Sequence, residues 1–263
     1  MQERLDKVLV DQGLAQSRTQ AQKLVEAGVV QANVHGQWQR LSKPAQKIFV
    51  DAKLRVGEIA ELRFVSRAGL KLDLALQEIH EQNLLVTTSV SEFLQHASAL
   101  DIGQSTGGFT DCLLQRGVRQ VVGIDVGRDQ LVSALREHPA VICLEGINAR
   151  EIPAASVLAH SPGGFDLAVM DVSFISQSLI IPALPPLLKN GGYLLSLVKP
   201  QFEVGAKNIA KRGIVKDENL YAEVREKITD CARFAGFELI HYFPSAIEGG
   251  DGNREFFMLC QKP

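Results

Sequence analysis

The sequence predicts a doubly wound, Rossmann-like α/β domain with a mostly parallel sheet, preceded by a small α+β module. Beyond about residue 98, apolar strand-like runs alternate with helical segments, and the last two runs form a hairpin. The first 60 residues instead show two short helical patterns followed by a strand pair. We therefore expect two domains, over residues 1–60 and 61–263.

The N-terminal module begins with a helical pattern that ends at Gly13, and Ser17 is a favourable N-cap for a second helix ending at Gly28. Residues 1–60 carry nine Lys and Arg against six Asp and Glu, whereas the remainder is acidic. A mildly basic module on an acidic body favours contact with a polyanion, although the excess is small.

The ordered pattern R-L-D-K followed by S-R-x-x-A-x-x-L-V-x-x-G-x-V resembles the S4-type RNA-binding domain. This resemblance implies RNA contacts from the basic residues Arg4, Lys7, Arg18 and Lys23. The alternative is a small two-helix cap whose charges are only solvated. Trp38 and Arg40 could stack on a nucleotide, or the tryptophan could pack under the sheet.

The stretch from Leu100 to Val126 predicts a β-turn-α-β unit that binds a nucleotide-like ligand. Its D-x-G-x-x-x-G-G run fails the dinucleotide fingerprint, and no lysine is placed for a phosphate. Two acids around a glycine turn suit a ligand with a ribose and an amino acid group, such as S-adenosylmethionine. An ordinary tight turn is the alternative. The candidate cofactor residues here are Asp101, Gly103, Ser105, Thr106, Gly107, Gly108, Phe109, Asp125 and Val126.

Further polar residues follow later strands. A strand over 140–144 precedes Glu145 and Asn148, which could hydrogen-bond an adenine or belong to a charged loop. The strands over 165–170 and 192–198 end in Asp171 and Lys199, where ligands of such sheets bind. Residues 203–218 have the composition of an active-site loop, a helix follows over 219–235, and the final glycine-rich turn leads into a predicted edge strand.

Composition argues against several other classes. The four cysteines are widely spaced without a C-x-x-C pair, which favours a reducing cytoplasm and predicts no zinc site or disulfide framework. The charged N-terminus does not predict a signal peptide. The uncharged stretch 172–188 is short and contains three prolines, so we expect no membrane span.

Five long motifs, SRAGLKL, DIGQSTGGFTDCLLQRG, DVSFIS, LVKPQFE and GNREFF, resemble those of the TlyA family in the same order. That family comprises rRNA 2′-O-methyltransferases, historically also called hemolysin A, with an FtsJ-like catalytic domain. The resemblance implies S-adenosylmethionine as cofactor, ribosomal RNA or ribosomal subunits as partner, and cytidine as target. It also implies a catalytic tetrad of Lys71, Asp171, Lys199 and Glu255.

In the implied mechanism a ribose 2′-OH attacks the sulfonium methyl group while Lys199 takes or polarises its proton. Asp171 would hold Lys199, and Lys71 and Glu255 would position the hydroxyl and tune the lysine. No metal is implied. Gln104 stands where a small residue is expected, and G-D-G-N replaces a more usual turn before Glu255.

Three other functions stay open on sequence alone. A binding-only ribosome-assembly protein would keep RNA affinity without methyl transfer. A membrane-active hemolysin would need a spanning or strongly amphipathic segment, and none is apparent. A base or protein methyltransferase would differ at the strand that here ends in DVSF.

Overall fold

The computed structural model describes residues 1–15, 17–57, 59–85 and 88–263, without the side chains at positions 61 and 212. The chain divides into two compact units, Met1–Arg63 and Phe64–Pro263. Each unit has a hydrophobic core of its own.

The N-terminal unit packs two helices on small antiparallel sheets. Its strands are β1 (Gln2–Arg4), β2 (Val30–Val34), β3 (Gln37–Arg40), β4 (Lys47–Phe49) and β5 (Leu54–Val56), and its helices are α1 (Leu5–Asp11) and α2 (Arg18–Glu26). The strands form a three-stranded sheet in the order β3-β2-β5 and a separate pair, β1-β4. The Ser17 side chain accepts a hydrogen bond from the Gln20 backbone N–H, so it caps α2 as predicted.

The C-terminal unit is built on a seven-stranded sheet. Its strands are β6 (Ser98–Ile102), β7 (Gln120–Asp125), β8 (Val141–Glu145), β9 (Phe165–Met170), β10 (Leu188–Val198), β11 (Glu238–Pro244) and β12 (Phe256–Gln261). The spatial order is β11-β12-β10-β9-β6-β7-β8. The β8-β7-β6-β9-β10 pairs are parallel, whereas β12 runs antiparallel to both of its neighbours. The predicted doubly wound, mostly parallel sheet is confirmed.

Helices cover both faces of this sheet. They are α3 (Arg67–Glu81), α4 (Val90–His96), α5 (Gly108–Gln115), α6 (Ser133–Arg136), α7 (Ala154–Leu158) and α8 (Leu220–Phe234). Alternating strand residues enter two cores: Leu195 and Leu197 of β10 lie in one, and Leu194 and Val198 lie in the other. Because both faces are buried, the central strands are continuous apolar runs.

The prediction of an edge strand at the C-terminus is wrong. The strand β12 lies between β10 and β11, and β11 is at the edge. The run FFMLC is buried along its length, while ELIHYFP is mostly half-exposed. The more apolar strand of the hairpin therefore takes the interior position, where burial stabilises it most.

The prolines between β9 and β10 prevent a long helix there, and the segment forms three short 3-10 turns. No helix in the described part of the chain is long and apolar enough to cross a membrane.

A candidate methyl-transfer site at the carboxyl edge of the sheet

Four parallel strands end beside one another at the edge where the predicted site residues lie. The glycine turn follows β6, Asp125 ends β7, Asp171 follows β9, and Lys199 follows β10. Because β10, β9, β6 and β7 are consecutive neighbours in the sheet, the topology brings these residues to one edge.

The backbone of the glycine turn has a conformation in which a side chain would be strained or would overlap a neighbouring atom. Gly103 has φ +86°, and a Cβ built on it would lie 2.7 Å from the Asp171 carbonyl oxygen. Gly107 also has a positive φ and precedes the first residue of α5. The Asp125 carboxylate accepts hydrogen bonds from the backbone N–H groups of Ser105 (2.8 Å) and Gly127 (2.7 Å). The acid predicted to bind a ribose therefore also holds the turn in place.

A cavity of about 600 Å³ lies along this turn. That volume is within the usual range for small-molecule sites. Its wall contains these predicted cofactor residues: Gly103, Ser105, Asp125, Val126, Asn148 and Asp171. A carboxylate, an amide and the apolar side chains of Ile147 and Ile175 in one wall fit a nucleoside with free ribose hydroxyls.

A smaller cleft adjoins this cavity and is lined by Thr106, Gly108, Phe109 and Lys199 as well as by the turn. Gly107, Asp101 and Glu145 line neither space. Glu145 instead forms an ion pair with Arg136 at 2.6 Å, and this guanidinium holds the pKa of the Glu145 carboxyl below its usual range.

Asp101 is fully buried behind the turn. The Thr110 hydroxyl donates a 2.6 Å hydrogen bond to Asp101 Oδ2, while Oδ1 has no hydrogen-bond partner among the described residues. Burial raises the pKa of Asp101 to about 7. A buried acceptor without a donor beside the turn is consistent with a ligand that carries a cationic amino group.

Gln104, the departure from the expected small residue, is accommodated inside the fold. Its amide Nε2 donates to Thr110 Oγ1 at 2.9 Å, and the side chain is buried. A Cβ built on Gly123 would overlap the Gln104 amide. The glycine on the neighbouring strand therefore provides the space that the glutamine occupies.

The four residues of the implied tetrad form two ion pairs. Lys71 Nζ lies 2.5 Å from Glu255 Oε2, and both side chains are buried, at 8% and 3% exposure. Lys199 Nζ forms an ion pair with Asp171 Oδ1 at 2.6 Å. The ammonium group also donates to Ser173 Oγ at 2.9 Å. The positive charge of each lysine is thus balanced by the negative charge of its own carboxylate partner.

A second cavity, of about 350 Å³, contains Lys71, Lys199 and Glu255 in its wall. Asp171 faces the first cavity, and Ser173 and Phe174 line both. The tetrad therefore lies where a pocket suited to a nucleoside cofactor meets a separate space with two cationic groups. This arrangement can bring two substrates together at one lysine.

Ser173, Phe174 and Gln201 also line the site, although they are not among the site residues predicted from the sequence. Phe174 is 91% exposed with φ +64°, an uncommon backbone conformation for a bulky residue. Gln201 lines the second cavity, and its Oε1 is buried without a partner among the described residues. All three lie within three residues of a charged strand end, which is the signal that could have drawn attention to them.

The G-D-G-N turn lies just before Glu255, and the side chain of Asn253 fixes the position of this turn. The buried Asn253 donates from Nδ2 to the Gly213 carbonyl oxygen (2.9 Å) and accepts from the Val215 backbone N–H (3.1 Å). It thereby connects the turn to the loop over 203–218, which contains two short 3-10 turns. This loop contributes Ile209 and Gly213 to the second cavity.

In the N-terminal unit, the predicted RNA-binding residues have partners close by. The fully buried Asp6 carboxylate pairs with Arg4 (2.8 Å) and Arg18 (3.2 Å), and these contacts hold its pKa well below the usual range. Lys7 pairs with Glu3 at 2.8 Å, and Lys23 is exposed on α2. The arginines keep further N–H donors that face solvent.

Known families cover both units. The S4 domain matches residues 3–33, and the FtsJ-like methyltransferase profile matches residues 64–262. The chain belongs to the FtsJ-like methyltransferase family. The predicted family resemblance is thereby confirmed.

Relatives of this methyltransferase span nearly its full length. YqxC of Bacillus subtilis strain 168, named provisionally as an rRNA methyltransferase, is 41% identical over 99% of this chain and 86% of its own. The 16S/23S rRNA (cytidine-2′-O)-methyltransferase TlyA of Mycobacterium tuberculosis is 36% identical over 97% of this chain and 88% of its own. A solved structure from Streptococcus thermophilus, described provisionally as a hemolysin, has a TM-score of 0.69 at 39% identity, covering 99% of this chain and 88% of that one.

Within the described residues of this methyltransferase, no three or more His, Cys, Asp and Glu side chains form a group that could hold a metal ion. The four cysteines are free thiols.

Proposed function

We propose that the protein transfers a methyl group from S-adenosylmethionine to a ribose 2′-hydroxyl of ribosomal RNA, with cytidine as the target nucleotide. The observation that carries this proposal is the position of the Lys71, Asp171, Lys199 and Glu255 side chains between two adjoining cavities. The choice of cytidine in ribosomal RNA follows the names of relatives that match most of this chain.

The larger cavity is the proposed cofactor site. Asp125 would bind the ribose hydroxyls, Asn148 the adenine, and the turn from Gly103 to Gly108 the amino acid end, with Asp101 beside it. Ser105, Thr106, Phe109 and Val126 would complete the walls. Glu145 would act indirectly, because its carboxylate is paired with Arg136. When bound, S-adenosylmethionine supplies a methyl group that is already activated by its sulfonium.

Lys199 is the proposed proton acceptor. Its Nζ lies between Asp171 and Ser173, at the boundary of the two cavities. In its neutral form it would receive the 2′-hydroxyl proton as the oxygen becomes methylated, and Asp171 would stabilise the ammonium that results. Most of the rate enhancement would come from alignment of the hydroxyl, because the methyl donor needs no activation.

Lys71 and Glu255 are the proposed positioning pair. Their ion pair is buried in the wall of the second cavity, where each charge is balanced by its partner. It would orient the target ribose toward Lys199. The basic residues Arg4, Lys7, Arg18 and Lys23 of the N-terminal unit would contact the RNA backbone.

The test is methyl transfer to ribosomal subunits isolated from a strain that lacks the gene, with labelled S-adenosylmethionine and mass spectrometry of the nucleosides. The wild type should form 2′-O-methylcytidine, and Lys199→Ala should not. Lys189→Ala is the matched control, since this lysine lies at the opposite end of β10 and pairs with Asp166 at 2.8 Å.

Label in a base would contradict the tetrad mechanism. Subunit binding without any methyl transfer by the wild type would instead support a binding-only assembly protein.

A further inference from the structure

The three-stranded sheet of the N-terminal unit has one face that takes no part in the helical core. Val30 and Ala32 of β2 are buried, and Val30 packs in the core that the helices form, so the alternate residues Gln31 and Asn33 point to the opposite face. We call this opposite face, formed by Gln31, Asn33, Trp38, Arg40 and Arg55, the outer sheet face.

The strand register places these side chains in two adjacent rows. Gln31 lies directly opposite Arg40 of β3 and Arg55 of β5, and Asn33 lies opposite Trp38. Residues that are directly opposite in antiparallel strands share a face. One row therefore contains two guanidinium groups across three strands, and the next row contains an indole.

The planar groups on this face are held by specific contacts. The Arg55 guanidinium lies 4.4 Å from the centre of the Trp38 ring and donates from Nε to Gln31 Oε1 at 2.7 Å. The Arg40 guanidinium lies against the backbone of Gly28, where a Cβ would overlap it. These contacts order side chains that would otherwise lose entropy on binding a ligand.

The face is strongly biased in charge. The strands β2, β3 and β5 contain no Asp or Glu. Among the described residues, neither Arg40 nor Arg55 forms an ion pair with a carboxylate, whereas Arg4 and Arg18 share Asp6. The arginines of this face therefore keep their full charge available for a partner.

We propose that the outer sheet face binds single-stranded RNA, with a base stacked on the Trp38–Arg55 pair and phosphates contacted by Arg40. Trp38 is 39% exposed, and every residue of β3 is exposed. Exposed aromatic rings and guanidinium planes bind unpaired bases by stacking, while the amides of Gln31 and Asn33 supply donors and acceptors for base edges. This inference rests on the proposed function in taking RNA as the partner, and it adds a second RNA surface to the helical one.

The sequence provides a direct probe, because Trp38 is the sole tryptophan of the chain. The full-length protein is titrated with a labelled single-stranded pyrimidine RNA of about 12 nucleotides, a length within the usual site sizes of such surfaces. Binding is followed by anisotropy of the label and, separately, by tryptophan emission. We expect emission to be quenched in step with binding, and a duplex of the same sequence to quench it much less.

Variants separate stacking from charge. Trp38→Ala should weaken binding about tenfold or more and Trp38→Phe much less, in line with the contribution of one stacked base. Arg40→Gln should weaken binding and reduce the salt dependence by about one phosphate contact. Arg233→Gln is the matched charge control, because this exposed arginine pairs with Asp230 on α8 in the other unit and should bind as the wild type does.

Unchanged emission at saturating RNA, or normal binding by Trp38→Ala, would overturn the proposal and assign the RNA to the helices. Quenching by intact ribosomal subunits but not by the oligonucleotide would also overturn it, in favour of a protein partner. RNA should quench the tryptophan emission of Lys199→Ala as much as it quenches that of the wild type. A failure of the methyl-transfer proposal is thus distinguished from a failure of this one.

Discussion

Lys199 Nζ lies 2.6 Å from Asp171 Oδ1 and joins the ends of two neighbouring parallel strands, β10 and β9. The pair therefore lies at the carboxyl edge of the sheet, where ligands of such sheets bind. The ammonium group also donates to Ser173, which leaves it in one defined position.

Replacement of Asp171 by Asn should remove the charge that stabilises the protonated lysine. We expect the rate of methyl transfer to fall by about 10² to 10⁴, the usual contribution of proton transfer by a positioned group.

The control for this variant is Asp166→Asn, which breaks the Lys189 ion pair at the other end of β9. Its activity should be close to that of the wild type. An unchanged rate of methyl transfer in Asp171→Asn would remove Asp171 from the mechanism.

The buried pair of Lys71 and Glu255 should show strong coupling in stability. Lys71→Met or Glu255→Gln alone leaves one charge buried without its partner, at an expected cost of about 3 kcal/mol or more in the free energy of unfolding. The double variant should lose much less than the sum of the two. Urea unfolding of the four proteins measures this coupling, and strictly additive losses would contradict it.

Asp101 should make stability fall as the pH rises. Its folded pKa is raised to about 7 by burial, so the folded state keeps a proton that the unfolded chain releases above its ordinary pKa. The stability associated with the protonated acid is complete below that ordinary pKa and is lost as the pH rises toward the folded value.

Asp101→Asn cannot ionise and should escape this loss. The stability of the variant minus that of the wild type, each measured as the free energy of unfolding, should therefore be about 2 kcal/mol larger near pH 8 than near pH 5. Urea unfolding of the cofactor-free proteins at the two pH values gives the comparison. An identical difference at both would show that Asp101 ionises normally.

Gly123 and Gln104 should depend on each other. A Cβ at residue 123 would overlap the Gln104 amide, so Gly123→Ala should destabilise the protein by about 1–3 kcal/mol, the usual cost of overpacking. Gln104→Ala removes the obstructing amide and should restore most of that stability in the double variant. Thermal unfolding of both variants tests the coupling, and an equal loss in the two would contradict it.

The local pattern predicted most of the elements. The limits of β9 and the N-cap at Ser17 could be read directly, because an apolar run flanked by turns and a capping residue before a helical pattern are local signals. The strand β10 begins at Leu188, before the predicted start, because the pair Gly191–Gly192 resembles a turn in the sequence.

The order of the last two strands could not be read locally. A hairpin has the same sequence signature whichever of its strands joins the sheet, so the interior position of β12 depends on burial against β10. The same limit applies to Arg4 and Arg18. Their basic character predicts RNA contact, but only the fold shows that both surround the buried Asp6.

The sequence by itself determined the fold class, the glycine turn and the four charged residues at strand ends, because these depend on periodicity, backbone conformation and motif order. Only the tertiary structure decided which charges meet. Lys71 and Glu255 are far apart in the chain, yet they form one buried pair, while Lys199 pairs with Asp171. The physical reason is that an ion pair requires contact at a few ångströms, and such contacts arise from the packing of strands and helices that are distant in sequence.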